Sequence, residues 1–441
     1  MSKPLDTLIF NGTVLTMDPA CSILNDGIVG IRDGQIVRLA SGPMDGPLPE
    51  AEATLDADGG LVLPGLVNAH THLPMSLFRG LADDLPLSVW LDEHIFPAES
   101  AHIAPQSVKL GTLLSCAELL LAGTTTCCDG YFLEDRVAEA ARTTGLRVVL
   151  GQGVIDFPAP GIPDPEENVN HAAAFADRWL DMDPLLTPSI FAHSPYTCSP
   201  ETLKAAKAAA SDRGLLFQIH VAETRQEFRD SRSKTDDSPV AFLDHLGILD
   251  PDTLLVHAVW TDENDLAILS HRGAKMVHCP ESNMKLGSGV AAVPKWLEDG
   301  LTVGIGTDGC ASNNNLDLFK EMDMAAKLHK VYTGDPTVMD AVAVLKMATI
   351  GGARAIGRER EIGSLEIGKQ ADVIIIDVSK PHLFPLYNPI SHIVYSASGA
   401  DVREVMVAGR FLVRDRHLMT IDIDDVMDQV NRLARQIRRR E

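Results

Sequence analysis

Between residues 63 and 359, short apolar runs alternate with segments whose apolar residues recur every three or four positions. On either side of that stretch the pattern changes to brief alternating runs broken by glycine. The runs VLPGLVNAHTH, TTTCCDG, RVVLGQGV, TPSIFAHS, LFQIHVAE, LLVHAV, KMVHCP and TVGIGTDG read as eight buried strands. Between them SVKLGTLLSCAELLLAG, PETLKAAKAAASDRG, ENDLAILSHRG and PTVMDAVAVLKMATIGGARAIG carry helical spacing, often closed by a glycine. Strand alternating with helix predicts a parallel sheet, and eight such strands are the number that closes a (β/α)8 TIM-type barrel.

The flanks predict a second architecture. LIFNGTVLTMD, GIVGIRDGQIVRLA and ATLDADGGLVLPG at the start, with GSLEIGKQADVIIIDV and HIVYSASGADVREVMVAGRFLVRD near the end, read as short strands. The expected division is a small β-sandwich built from both chain ends, 1–62 and 360–420, a barrel over 63–359, and a C-terminal helix over 421–441. That last segment, DDVMDQVNRLARQIRRR, is polar enough for a solvated or docking helix. No internal repeat or low-complexity stretch interrupts this plan.

A chain of 441 residues exceeds one ordinary compact domain but suits a barrel with a smaller partner. No apolar run approaches the roughly 18 to 20 residues that cross a bilayer, and the opening MSKPLDTLIFNG has no apolar signal core. A cytoplasmic location is therefore expected. The formal charge of −23 argues against nucleic-acid or anionic-membrane partners and for a small substrate that is not strongly anionic. Seven cysteines, an odd number with no CxxC spacing, predict reduced thiols.

Candidate chemistry gathers at the ends of the predicted strands. In NAHTH, residues two apart on an extended chain face the same side, so His70 and His72 project toward one point. His220 ends a later apolar run with Glu223 three residues on, His257 ends the next, and Asp308 ends the last. Two histidines at this spacing also occur by chance on exposed strands. The barrel changes the balance, because its strand ends converge on one face and bring distant residues together. Imidazoles with one carboxylate make the donor set of a catalytic zinc-type site that keeps a position open for water.

NAHTH, HVAET, VHAVW, HCPESNMKLGSG and GTDGCASNNNLDLF resemble motifs of the amidohydrolase superfamily, in particular its methylthioadenosine/S-adenosylhomocysteine deaminase-like branch. The likeness runs over nearly the whole chain. It implies that His70, His72, His220 and Asp308 are metal ligands, that Glu223 shuttles protons, and that His257 assists at the activated water. It also implies that Glu99, in EHIFPAES, contacts the ribose hydroxyls and that His193, in HSPYTCS, contacts substrate. Two-metal relatives bridge their ions with a lysine or glutamate at a middle strand end, where TPSIFAHSPYTCS offers His193 and no lysine. One divalent ion per subunit is thus expected, zinc first, with iron or manganese compatible.

Such an ion lowers the pKa of water from about 15.7 to about 7. Asp308 and His257 would orient that water and take its proton, while Glu223 would protonate the ring nitrogen beside the attacked carbon and help the amine leave as ammonia. The expected reaction is hydrolytic deamination of an adenine nucleoside: 5′-methylthioadenosine, S-adenosylhomocysteine or adenosine. Where some members carry arginines, GQGVIDFPAPGIPDPEEN has Gln152 and Asp164, which favours a neutral thioether over a charged homocysteine tail. Trp90, Phe96 and Phe157 are candidates to line an apolar pocket.

Three rivals remain at this stage. Another amino-heterocycle, such as guanine, a pterin or a triazine, could be deaminated or dechlorinated on the same barrel. A non-catalytic binding barrel should have lost Glu223, Asp308 or a histidine, and all are present. A cyclic-amide hydrolase would want the missing lysine. A small-molecule substrate and a homo-oligomer, dimer or tetramer, complete the expectation.

Overall fold

The strands predicted in the middle of the chain are buried on both faces, which is the condition for a parallel sheet wrapped by helices. The computed structural model describes residues 3–42 and 48–438. The terminal strands at the start are β1 (Leu5–Leu15), β2 (Ile23–Arg32), β3 (Gln35–Ala40), β4 (Ala51–Asp56) and β5 (Leu61–Pro64). The central strands are β6 (Leu66–His72), β7 (Thr124–Tyr131), β8 (Arg147–Val154), β9 (Leu186–Ala192), β10 (Phe217–Val221), β11 (Thr253–His257), β12 (Lys275–His278), β13 (Val303–Ile305) and β14 (Asp308–Gly309). Every residue of β6, β7 and β8 is buried.

The central strands pair in parallel in the order β13-β12-β11-β10-β9-β8-β7-β6-β14. Only Gly306 and Thr307 separate β13 from β14, so a single interrupted eighth strand bonds to β12 on one side and to β6 on the other, and the barrel closes. Glycine is required at the interruption, because a Cβ on Gly306 would sit 2.9 Å from the backbone N and O of His70. Asn68 locks the seam: its amide donates to Thr307 Oγ1 at 2.7 Å and its carbonyl accepts from Thr307 N at 3.1 Å.

The chain ends add β15 (Val373–Ile376), β16 (Val402–Val407), β17 (Arg410–Arg414) and β18 (His417–Leu418). The expected sandwich is hydrogen-bonded as one sheet in the order β18-β17-β16-β15-β5-β1-β2-β3, with β4 alongside β1. It encloses a core of its own that includes Ile9, Val29, Ile31, Ile36, Val62 and Val373. A buried bidentate pair ties this sheet to the barrel: Arg147 Nη2 meets Asp372 Oδ1 at 3.0 Å and Arg147 Nε meets Oδ2 at 3.1 Å.

Two predicted elements differ. HIVY, read as strand, lies in the helix Pro389–Tyr395, with Ser396 at its end, because Pro389 follows an Asn388 side chain that accepts from Ser391 N. The helical run after residue 336 is two helices, Ala341–Met347 and Ile350–Ala355, broken at Thr349, whose backbone leaves the helical region. The last helix, Ile423–Ile437, begins at the cap Asp422 and buries Val426 and Ile437. All seven cysteines are free, six of them buried. Among the described residues no helix is long and apolar enough to cross a membrane.

Candidate functional site

The carboxyl ends of β6 and β10 and the first residue of β14 deliver His70, His72, His220 and Asp308 to one point, where one ligand atom from each lies within 4.8 Å of all the others. His70 Nε2 and His220 Nε2 are 3.1 Å apart, and Asp308 Oδ1 lies 3.2 Å from His72 Nε2 and 3.5 Å from His70 Nε2. The surroundings fix which atoms face inward. His72 Nδ1 donates to the Gly130 carbonyl at 2.5 Å, which turns Nε2 to the centre. Asp308 Oδ2 accepts from Ser282 Oγ at 2.6 Å and Ser312 Oγ at 2.8 Å, which leaves Oδ1 for the histidines.

Protonation states follow from burial. Loss of solvent pushes His70 down to about 4 and His220 well below the usual imidazole range. Burial works against ionising Asp308, but hydrogen bonds from His70 and His72 and charge from His72 and His257 outweigh it and hold the carboxyl well below its ordinary range. Neutral imidazoles at His70 and His220 beside the Asp308 carboxylate are forms that bind a divalent cation, whereas at His72 burial is outweighed by the hydrogen bond and charge of Asp308, which raise it, and a bound cation would displace that proton; the donor set fits one such ion.

Glu223 and His257 flank the cluster. His257 ends β11 in the left-handed region at φ 71°, followed by Ala258 at φ 42°, backbone that costs on the order of 1 to 3 kcal/mol and persists only when its surroundings enforce it. Its Nδ1 bonds to Asn283 Oδ1 at 3.0 Å, and its Nε2 faces Glu223 Oε2 at 3.9 Å. Glu223 sits just past β10. Its backbone N–H and that of Ala222 each donate 2.8 Å bonds to Glu227, and its carboxyl receives a 3.4 Å contact from Ser288 Oγ. Burial, opposed by His257, raises the Glu223 carboxyl above its usual value.

A cavity opens beside this cluster. Glu99 and His193 line it with His72, His220, Glu223 and His257. Glu99, on the helix Phe96–His102, accepts from Tyr131 OH at 2.5 Å, and burial pushes its carboxyl up to about 7. His193 Nδ1 bonds to Thr197 Oγ1 at 2.8 Å, and burial lowers its imidazole to about 3.

Some expectations do not hold. Gln152 turns its carbonyl to Glu134 N, and Asp164 caps the short turn at Pro165–Glu167; neither is among the residues that line the cavity. Trp90 and Phe96 line it, whereas Phe157 stands behind Phe96 in an edge contact at 5.4 Å. Sequence reasoning missed Tyr131, Ser282, Asn283 and Ser312. Tyr131 is the last residue of β7 and was findable by the strand-end rule that found the histidines. Ser282 and Asn283 lie in HCPESN, in the short helix Pro280–Lys285 that follows the end of β12, the barrel face expected to carry function.

The sequence model of the amidohydrolase family matches residues 61–412. A 5-methylthioadenosine/S-adenosylhomocysteine deaminase from Syntrophobacter fumaroxidans is 49% identical over 99% of both chains. A 5′-deoxyadenosine deaminase from Methanosarcina mazei is 42% identical over 98% of both. The crystal structure of an adenosine deaminase from Xanthomonas campestris with bound zinc superposes with a TM-score of 0.96 at 37% identity, covering 99% of each chain. A triazine hydrolase variant shares the fold alone, with a TM-score of 0.89 at 23% identity over 97% of this chain and 99% of that one. With a family match across most of its length, near-complete overlap with these relatives, and a strand-end His and Asp cluster in a closed barrel, the chain belongs to the amidohydrolase family.

Proposed function

We propose that this protein is a metal-dependent aminohydrolase that converts an adenine nucleoside and water into the 6-oxo nucleoside and ammonia. The observation that carries this reading is the convergence of four ligand atoms within 4.8 Å beside a cavity that also presents Glu223 and His257. His70, His72, His220 and Asp308 would hold one divalent ion, with zinc the best match to three imidazoles and a carboxylate. When bound there, the ion supplies Lewis acidity that makes water a nucleophile at neutral pH.

The chain's own groups account for the proton movements. His257, with Nδ1 bonded to Asn283, offers Nε2 to accept a proton from the attacking water. Glu223, whose buried carboxyl holds a proton more tightly than usual, delivers one to the ring nitrogen next to the amine-bearing carbon. That makes the carbon electrophilic; the proton taken from the water then passes by way of Glu223 to the amine, which departs as ammonia, and the remaining hydroxyl proton restores Glu223. Glu99 accepts hydrogen bonds from the ribose hydroxyls, and His193 contacts the substrate from the same cavity. We also assign a homo-oligomeric state, dimer or tetramer, supported by the exposed large apolar side chains Val331, Tyr332, Phe384 and Tyr387.

The test is a panel of adenosine, 5′-methylthioadenosine, S-adenosylhomocysteine and guanine on metal-replete protein, read by ultraviolet change and ammonia release. Turnover of at least one adenine nucleoside well above guanine is expected. Activity on guanine alone, or on none, would overturn the assignment.

A further inference from the structure

One wall of the cavity bears on which 5′ substituent the ribose carries. Leu87, Leu91, Ile95 and Glu99 all line the cavity although they lie four residues apart. In a regular α-helix each step of four drifts by about 40°, so three steps would turn the last residue roughly 120° away. Here the backbone runs as helix Leu87–Val89, a π-helical turn Trp90–Ile95, and helix Phe96–His102. The wider i→i+5 turn opposes that drift and keeps the four side chains on one side.

Trp90 and Phe96 complete this wall. The Trp90 indole spends its only donor on the Ala82 carbonyl at 3.1 Å, so it presents no free polar group to the cavity. Among the described residues, no arginine or lysine lines the cavity; its acidic lining groups are Glu99, Glu223 and Asp308. The cations that neighbour lining residues in sequence are engaged elsewhere. Lys285, beside Leu286, bonds to Asp83 Oδ1 and Asn314 Oδ1 at 2.6 Å and to the Ala311 carbonyl at 3.3 Å. Arg225, two residues past Glu223, stacks on Trp260 at 5.3 Å.

We propose that the wall from Leu87 to Phe96 selects adenine nucleosides whose 5′ substituent is uncharged and apolar, a methylthio or deoxy group, and disfavours the zwitterionic amino-acid tail of S-adenosylhomocysteine. This rests on the reading that the site deaminates adenine nucleosides with the ribose held at Glu99. A substituent on that ribose falls along the aliphatic and aromatic face next to Glu99. A thioether gains by burial there, whereas a carboxylate gives up its water with no counter-charge to replace it.

The experiment measures kcat/KM on the metal-replete full chain for 5′-methylthioadenosine, 5′-deoxyadenosine, S-adenosylhomocysteine and 5′-butylthioadenosine, the last a long thioether without charge. The first two should exceed S-adenosylhomocysteine at least tenfold, with the butylthio compound within tenfold of the methylthio one. Leu87→Arg, and independently Leu91→Arg, should raise the ratio of S-adenosylhomocysteine to methylthioadenosine turnover at least tenfold. A wild-type preference below tenfold overturns the proposal, as does a butylthio compound as poor as S-adenosylhomocysteine, since size would then explain the rejection. The four-nucleoside series decides the matter even if neither arginine variant folds. Deamination of none of the four would instead sink the nucleoside reading beneath it.

Discussion

Replacing Glu223 with glutamine separates proton transfer from metal binding more cleanly than any other single change. Glu223 is 7% exposed and its Oε2 lies 3.9 Å from His257 Nε2, yet it is outside the four-atom cluster. Glutamine keeps the volume and can keep the Ser288 contact, but cannot carry a proton. General acid and base catalysis by a positioned side chain contributes about 10² to 10⁴ in rate. At about 1.36 kcal/mol per decade, the variant should lose roughly 2.7 to 5.4 kcal/mol of transition-state stabilisation. The assay is kcat for 5′-methylthioadenosine by ammonia release, beside elemental analysis of the same preparation. A fall in kcat of a hundredfold or more at unchanged metal content is expected. A loss below tenfold, or a parallel loss of metal, would refute the role given to Glu223.

Asn283→Ala removes the acceptor that orients His257 Nδ1; at about 1.5 to 3 kcal/mol for a hydrogen bond of this kind, kcat should fall about ten- to a hundredfold with metal content unchanged. Unchanged kcat would remove Asn283 from the proton path. Arg147→Ala leaves Asp372 buried without its partner and should cost about 3 to 5 kcal/mol in urea unfolding, because a broken buried pair strands a charge; a loss under about 1 kcal/mol, the scale of an exposed pair, would contradict this. Burial raises Glu99 to about 7, so its ionised, hydroxyl-accepting form dominates above that pH and is lost below it. KM for ribose substrates should therefore climb as pH falls through about 7, and Glu99→Gln should raise KM and flatten that dependence. An unaltered pH profile in the variant would contradict the ribose contact.

The barrel was legible because its strands are short apolar runs that end on polar residues, and because strand ends in this architecture share one face. That rule alone is enough to bring His70, His72, His220 and Asp308 together. Other features left weaker marks. The eighth strand is split at Gly306 and Thr307, and what holds it is the distant Asn68, a tertiary contact without local signature. The segment HIVY has β-forming composition, yet capping by Asn388 and the following Pro389 make it helical. The π-helical turn at Trp90–Ile95 is invisible to a search for 3.6-residue periodicity, and with it the alignment of Leu87, Leu91 and Ile95. Gln152 and Asp164 were placed at the substituent by position in sequence, whereas hydrogen bonds to backbone N–H groups turn both elsewhere.

Metal content set against activity tests most directly whether one ion held by His70, His72, His220 and Asp308 is responsible for the chemistry. Chelator-treated protein titrated with zinc should regain nucleoside deamination in proportion to bound metal and reach its plateau at about one equivalent per chain, with His220→Ala neither binding that equivalent nor recovering. Full activity in metal-free protein, or a plateau that requires two equivalents, would contradict it.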